Sequence, residues 1–354
     1  MAAVACVSLM LCLILSIVSK VNKNKLPDQQ MAARWANGGR YAQISCFIDP
    51  NAMIDADTLL FFRHRLNDLI QQDSIVPPNE NARLFTDAYC ATGNVTASTT
   101  RTSVSITAYG VAGDFFRFHP LQFSYGTFFG PDDIMKDYCV IDEETAWNLF
   151  GALNVVGMKV EIGGTQHTVV GVIARDKSRL VQQAGLDQPV IYLPYESLIV
   201  NGSCRGISCY EIVMPNPITG YAKQKIIDNI GISESDMSIV ENSSRFSVMH
   251  LFDVLKTYRT RVMRTDSIPY PYWENVARAK ENTLAKLLVF RIIFMAIPIV
   301  FLVLFLISAY RHRKWHKEDI LEGIRTLWEK GKRAVQRLIS KKGNKREENY
   351  EKEE

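Results

Sequence analysis

The sequence of 354 residues lacks the short motifs that mark several common enzyme classes. No GxxxxGK(S/T) phosphate loop occurs, so the chain is not its own ATPase of that class. Neither an HExxH zinc motif nor a GxSxG nucleophile elbow is present. Without a recognisable nucleophile and base, we predict that the protein is not an enzyme, and we expect no catalytic, cofactor-binding or metal site.

A net charge is also missing from most of the chain. Residues 1–310 hold 27 Lys and Arg against 28 Asp and Glu, whereas residues 311–354 hold 14 against 9. The positive excess therefore belongs entirely to the C-terminal tail, which directly follows an apolar stretch. Basic residues in that place are typical of a cytoplasmic flank, so we predict no nucleic-acid partner.

Two long apolar stretches have almost no charged residues, and the first of them, residues 2–18, has none. This run of 17 residues is just long enough to cross a hydrocarbon core about 30 Å thick. A cleaved signal peptide is the alternative. However, no Lys or Arg precedes the stretch, and Ser19, Lys20 and Val21 offer no small-residue cleavage site. We therefore predict an uncleaved N-terminal transmembrane anchor over residues 1–25.

The second apolar stretch predicts a membrane-spanning helix at residues 287–310. Arg291 is its one charged residue, and a long Arg side chain can reach the membrane interface. Pro298 is tolerated because membrane helices accept proline. The basic flank that begins at Arg311 places the tail inside the cell. Two spans then put both termini in the cytoplasm and residues 26–286 outside, in a two-pass protein of the cell membrane.

Five cysteines lie outside the predicted spans, an odd number that leaves at least one thiol unpaired or shared between chains. Cys204 and Cys209 could close a small disulfide loop, because an outer compartment permits disulfides. Free thiols are an equal alternative, since pairing cannot be deduced from sequence. A zinc site is a weaker interpretation because no second Cys/His pair stands at ligand spacing.

The segment between the spans alternates strand-like and helix-like patterns, which predicts an α+β domain. Apolar side chains recur at helical spacing in residues 55–70, whereas Pro, Asn and Gly in residues 77–98 indicate a loop or weak strand. Further strands are predicted at 41–48, 102–111, 138–141, 156–162, 167–172, 189–193, 207–214 and 237–241. Further helices are predicted at 143–150, 218–230, 248–262 and 273–286, the last forming a stalk that leads into the second span.

Residues 104–172 resemble the MacB-type periplasmic core domain of ABC transporter permeases of the MacB/FtsX-like kind. The matching motifs follow the family order and are Gly110–Phe116, Gly126–Phe129, Leu149–Gly151 and Val156–Gly157. The resemblance implies a MacB-like extracytoplasmic core fold between two transmembrane helices. Glycine at turns and phenylalanine in cores have structural uses, so we expect none of these positions to be catalytic.

The resemblance has a limit that bears on function. Family permeases carry three spanning helices after the outer domain, whereas one is predicted here, so the chain looks truncated to two membrane helices. The resemblance implies a permease-like or accessory subunit of an ABC transport assembly, which relays motion or handles substrate through its outer domain. The implied partners are the membrane, an ABC ATPase subunit, a fuller permease, or a second copy in a homodimer.

An alternative hypothesis is a membrane-anchored binding or sensing module that kept the domain and lost transport. Its ligand contacts would fall in residues 178–245, where the match to the family is poor.

The tail, residues 311–354, contains a predicted basic amphipathic helix at residues 318–339. Such a helix commonly lies on the anionic inner leaflet of a membrane. The alternative is a coupling surface for an ATPase or another permease. The residues predicted for this surface are Ile320, Leu321, Ile324, Leu327 and Trp328.

Overall fold

The chain forms two compact units. One is a folded domain of residues 13–292, and the other combines residues 1–12 with residues 293–354. The computed structural model describes residues 2–35, 39–77, 82–258, 268–312 and 328–329.

The described residues contain both helices and strands in mixed order, as the sequence pattern predicts. The α-helices are α1 (Ala2–Asn24), α2 (Met31–Trp35), α3 (Ala56–Gln72), α4 (Phe115–Phe118), α5 (Glu143–Phe150), α6 (Arg179–Gln183), α7 (Tyr195–Asn201), α8 (Tyr221–Asn229), α9 (Val248–Lys256) and α10 (Tyr272–His312). The strands are β1 (Tyr41–Ile48), β2 (Thr86–Ser98), β3 (Ser103–Gly113), β4 (Phe123–Gly126), β5 (Tyr138–Asp142), β6 (Lys159–Ile162), β7 (Thr165–Ile173), β8 (Val190–Pro194), β9 (Cys209–Pro215) and β10 (Met237–Glu241).

These strands join one mixed sheet. Nine follow the order β10-β1-β9-β2-β3-β8-β5-β7-β4, and β6 pairs with both β2 and β7. The pairs β3–β8 and β5–β7 are parallel, and the pairs β1–β9 and β2–β9 at the other end are antiparallel. The predicted α+β class is confirmed.

The helices predicted in residues 55–70 and 143–150 are confirmed, and each begins with a capping side chain. The Asp55 side chain accepts a hydrogen bond from the Thr58 backbone nitrogen at 2.9 Å, which satisfies a free donor at the start of α3. Asp142 caps α5 in the same way through Thr145 at 2.7 Å. The helix predicted at 248–262 ends earlier, at Lys256, and its last predicted residues lie outside the described part of the chain.

Of the two alternatives for residues 77–98, a loop or a weak strand, the structure has the strand over most of the range, because residues 86–98 form β2. Its partner β3 pairs with it continuously from Ala88 to Ser98. Gly93 looks like a loop residue in the sequence, but a Cβ there would lie 2.5 Å from the carbonyl oxygen of Ser203. Because Gly93 has no side chain, the loop before β9 can lie close to β2, where Ser203 forms a β-bridge with Asn94.

This close approach makes a testable prediction about stability. Gly93→Ala should push the Ser203 loop away from β2 and lower the free energy of unfolding by about 1–3 kcal/mol, because the clash is with backbone rather than with a flexible side chain. Denaturant unfolding of the full-length protein in detergent measures this. Gly130→Ala is the matched control, since its Cβ would meet nothing closer than 3.9 Å. Equal stability of the two variants would contradict the prediction.

Alternating side chains divide the core between the two faces of the sheet. On β1, Ile44 and Cys46 enter one hydrophobic cluster, while Phe47 enters the other. Helices α3, α5 and α8 contribute to the first cluster. The second cluster is rich in aromatic residues and includes Trp273 of α10, so we name its side of the sheet the stalk face. The buried side chains that define the stalk face are Phe47, Cys90, Tyr109, Phe115, Tyr192, Val213 and Trp273.

The unit of residues 1–12 and 293–354 contains the first residues of α1 and the last residues of α10, and both helices are long and apolar enough to cross a membrane. Pro298 lies inside α10 and has no backbone N–H to donate to the carbonyl of Phe294, four residues earlier. The Ser8 hydroxyl of α1 donates to that carbonyl instead. A polar group that proline would leave unsatisfied in lipid is thereby satisfied.

Candidate functional site at the start of the stalk helix

The start of α10 carries two acidic side chains that are buried in the folded domain. Glu274 and Glu281 lie one heptad apart on the same helix face, and they are 1% and 0% exposed. Arg245, which follows β10, lies between them. It donates to both oxygens of Glu274 at 2.6 and 2.8 Å and to Glu281 at 2.5 Å. One guanidinium therefore binds both glutamates.

Two further side chains complete the Arg245 cluster, which comprises Arg245, His250, Glu274, Arg278 and Glu281. Arg278 donates to Glu274 at 2.6 Å, and His250 Nε2 lies 3.2 Å from Glu281. Burial lowers the pKa of Arg245, but the charges and hydrogen bonds of Glu274 and Glu281 outweigh it and raise that pKa above its ordinary value. Because a buried charge without a partner is costly, the cluster holds α10 in one rotation against the domain.

A second buried ionic group lies on the stalk face. His119, at the end of α4, is 1% exposed, and its Nδ1 lies 2.9 Å from Asp28. Its Nε2 contacts the carboxylate of Glu211 on β9. The ring of Trp273 lies against the imidazole, with 4.2 Å between ring centroids. We name Asp28, His119 and Glu211 the His119 cluster.

The two carboxylates decide the charge of His119. Burial lowers its pKa, but attraction from Glu211 and hydrogen bonds with Asp28 and Glu211 outweigh burial and raise the pKa to about 10. The imidazole is therefore protonated at neutral pH and donates to a carboxylate on each side. The Trp273 ring places an aromatic face against this cation, which is a favourable arrangement.

Hydrogen bonds join the two clusters into one network. Glu211 accepts from the Ser45 hydroxyl at 2.5 Å, and Asn242 Nδ2 donates to the Ser45 oxygen at 2.7 Å. Arg245 Nη1 then donates to Asn242 Oδ1 at 3.1 Å. The buried path thus runs from His119 across β9 and β1 to Arg245 and the start of α10.

The network also holds the segment that follows α1. The Gln43 side chain donates to the Asp28 carbonyl at 2.6 Å and accepts from the Met31 backbone nitrogen at 2.8 Å. Lys280 of α10 donates to Asn22 at the end of α1 at 3.1 Å. The continuations of both apolar helices are therefore fixed to the same domain by polar contacts.

Two clefts lie beside the start of α10. The first, of about 720 Å³, is lined by Lys25, Arg175, Lys177 and Lys280 together with aromatic side chains. The second, of about 970 Å³, is lined by residues 203–206 of the Ser203 loop, by Gly93 and Asn94 of β2, and by the Pro269–Tyr272 segment. Residues 178–208 contribute to both clefts, and the prediction of ligand contacts in 178–245 stays a prediction.

All the cysteines are free thiols in the structure, and Cys204 and Cys209 are not placed to form the possible disulfide between them. The physical reason is that β9 begins between them. Cys209 is buried on the stalk face, whereas Cys204 packs against the core on the opposite face.

The predicted surface of the tail falls almost wholly outside the described residues. Ile320, Leu321, Ile324 and Leu327 are not described, whereas Trp328 lies in a helical turn with Glu329 and is 67% exposed. This surface stays a prediction.

Sequence reasoning missed the Arg245 and His119 clusters. The spacing of Glu274 and Glu281 could have indicated a shared site, because two acidic residues one heptad apart within a helix lie on the same face. Asp28, His119 and Glu211 gave none, since they are far apart in sequence and only the sheet brings them together.

Comparison with protein families gives one match. The model described as the MacB-like periplasmic core domain matches residues 1–214. A search of curated proteins finds no match.

Three of the solved structures that are similar to the chain are as follows. The periplasmic region of MacB from Actinobacillus actinomycetemcomitans is 14% identical with a TM-score of 0.40, covering 58% of this chain and 92% of that chain. The extracellular domain of the noncanonic ABC-type transporter YknZ from Gram-positive bacteria is 18% identical with a TM-score of 0.36, covering 56% and 99%. A domain of a putative permease from Porphyromonas gingivalis is 12% identical with a TM-score of 0.32, covering 58% and 91%.

Proposed function

Since the chain belongs to the family of the MacB-like periplasmic core domain, we propose that it is a permease-like or accessory subunit of an ABC transport assembly. Its extracytoplasmic domain relays motion or handles substrate while α1 and α10 hold it in the membrane. No catalytic role is part of this proposal.

The observation that carries the proposal is the buried network at the start of α10. Glu274 and Glu281 are bound by Arg245, and Trp273 is packed on the His119 cluster, so the helix start and the sheet move together. A displacement of residues 273–286 of α10 is then passed to the sheet. This rigid attachment is what a relay requires.

The proposal includes an orientation. Basic residues after α10 favour a cytoplasmic tail, and with two spans the N-terminus would lie on the same side. The energy source is an ATPase subunit, because the sequence has no phosphate loop of its own. A fuller permease or a second copy of the chain would supply the remaining membrane helices.

The two clefts beside α10 favour a second candidate, a membrane-anchored binding or sensing module without transport. Both are large enough for a small molecule, and the first has several basic side chains at its edge. This candidate needs no ATPase partner, and that difference allows a test.

Co-purification tests the proposed function. The full-length chain, tagged at its C-terminus, is extracted from its native membrane in mild detergent and its partners are identified by mass spectrometry. We expect an ATPase or polytopic permease at a stoichiometric level. A variant without residues 318–339 tests the tail, because loss of the partner would assign the coupling surface to it, whereas retention would favour a helix on the inner leaflet.

Arg278→Lys is a matched control in this experiment, since it changes one charged side chain of the stalk without removing the charge. It should retain every partner. Recovery of the chain alone, or only with outer-surface proteins, would contradict the transport proposal and favour the binding module.

A further inference from the structure

Two cysteines of the folded domain meet across the middle of the sheet. In the antiparallel pair of β2 and β9, Cys90 stands directly opposite Cys209. They are 1% and 2% exposed, and both belong to the cluster on the stalk face. Directly opposite residues of antiparallel strands point to the same face, so the two thiols share one environment.

The spacing of such a pair suits a covalent bond. Opposite residues in antiparallel strands have Cα atoms about 4.5–5.5 Å apart. Disulfides are found with Cα atoms about 4.4–6.8 Å apart, so no backbone movement is needed to bring the partners into range. Both cysteines are free thiols in the structure, and a disulfide is what their paired position allows.

The other cysteines of the domain are placed differently. Cys46 and Cys139 lie in the core on the opposite face, and Cys204 packs against that same core. Cys46 stands opposite Tyr210 and Ile239, and Cys139 pairs with Val169. In the described ranges, Cys90 and Cys209 are thus the one pair of cysteines that faces across neighbouring strands.

The extracytoplasmic location of the domain permits disulfide formation. The family places this domain outside the cytoplasm, where disulfides form and persist. We propose that Cys90 and Cys209 form a disulfide that links β2 to β9. The inference requires the extracytoplasmic location of the domain and does not depend on the proposed function.

The bond forms by exchange with a disulfide-bearing thiol oxidoreductase. The thiolate of one cysteine attacks the donor disulfide, forms a mixed disulfide and releases one donor thiolate. The thiolate of the second cysteine then displaces the other donor sulfur. Both cysteines are oxidised, the donor disulfide is reduced to two thiols, and the two protons lost by Cys90 and Cys209 balance those gained by the donor.

Burial of the two thiols determines when during folding the disulfide can form. In the closed sheet, burial raises the pKa of Cys209 well above its ordinary value, and the contacts with Cys90 and Glu211 raise it further. A buried thiol with a high pKa has almost no thiolate to react. The exchange must therefore precede the closure of β2 on β9, and the finished bond is then protected from reductants.

Alkylation under denaturing conditions tests this. Membranes that contain the full-length chain are dissolved in a denaturing detergent with a maleimide before any reductant is added, and peptides are examined by mass spectrometry. We expect no maleimide on Cys90 and Cys209, a linked peptide pair that contains both, and full labelling of both after reduction. Cys139, buried alone, should be labelled without reduction.

Cysteine-to-alanine variants provide a second test of the disulfide between Cys90 and Cys209. Cys209→Ala should make Cys90 available to maleimide without reduction, whereas Cys139→Ala should leave the linked pair intact. The wild-type peptides decide the matter if Cys209→Ala fails to fold. Full labelling of Cys90 and Cys209 in the unreduced wild-type sample would overturn the inference, and so would a linked peptide that joins either cysteine to Cys204.

Discussion

Arg245→Met is expected to lower the free energy of unfolding of the full-length protein by about 3–5 kcal/mol. The change removes the one guanidinium that binds both Glu274 and Glu281, and it leaves two buried carboxylates without their main partner. Because these glutamates belong to α10, the loss should first appear as detachment of the helix start. Denaturant unfolding in detergent measures it, followed by the fluorescence of Trp273 in a background where the other four tryptophans are replaced by phenylalanine.

Two control variants distinguish the loss of the ion pairs from a general loss of stability. Arg278→Ala removes a single, partly exposed partner of Glu274 and should cost about 1 kcal/mol. Replacing Arg245, Glu274 and Glu281 together by apolar residues of similar size should restore part of the stability, since no fully buried charge is left and only the more exposed Arg278 and His250 lose a partner. If Arg245→Met were no worse than Arg278→Ala, the cluster would not hold the helix.

The second large effect is a pH dependence that comes from His119. Its pKa is about 10 in the folded protein against an ordinary value of 6.5. A raised pKa means that the stabilising contribution is fully present below pH 6.5 and is lost as the pH rises through about 10. The free energy of unfolding should therefore decrease by several kcal/mol, to order of magnitude, across this window.

His119→Gln provides the comparison for this effect. Glutamine retains a donor for one carboxylate but has no proton to lose, so the variant should be less stable at pH 6.5 and should lack the decline between pH 6.5 and 10. The difference between the two unfolding profiles removes contributions from other groups. Parallel profiles would contradict a protonated His119 between Asp28 and Glu211.

The fold was largely predictable because its signals are local. Capping residues such as Asp55, the glycine turn before β7 and the uncharged stretches each depend on neighbours in sequence. The sequence left residues 77–98 undecided between a loop and a weak strand, because Gly93 and nearby polar residues indicate a loop, and only the contact with Ser203 explains the glycine.

The candidate site was mostly not predictable. Asp28, His119 and Glu211 come from three distant segments, and nothing in their spacing indicates that they meet. The Cys204–Cys209 pairing followed from nearness in sequence, but the start of β9 places the two on opposite faces. The register that sets Cys209 opposite Cys90 instead depends on long-range strand pairing.

The central claim is that the start of α10 and the sheet open as one cooperative unit, and hydrogen exchange of the full-length protein in detergent tests it most directly. We predict that amides of residues 273–286 and of β1 exchange with the same free energy of opening, and that Arg245→Met lowers both together. Rapid exchange in residues 273–286 while β1 stays protected would contradict the claim, because α10 would then be a hinged attachment that cannot relay motion to the sheet.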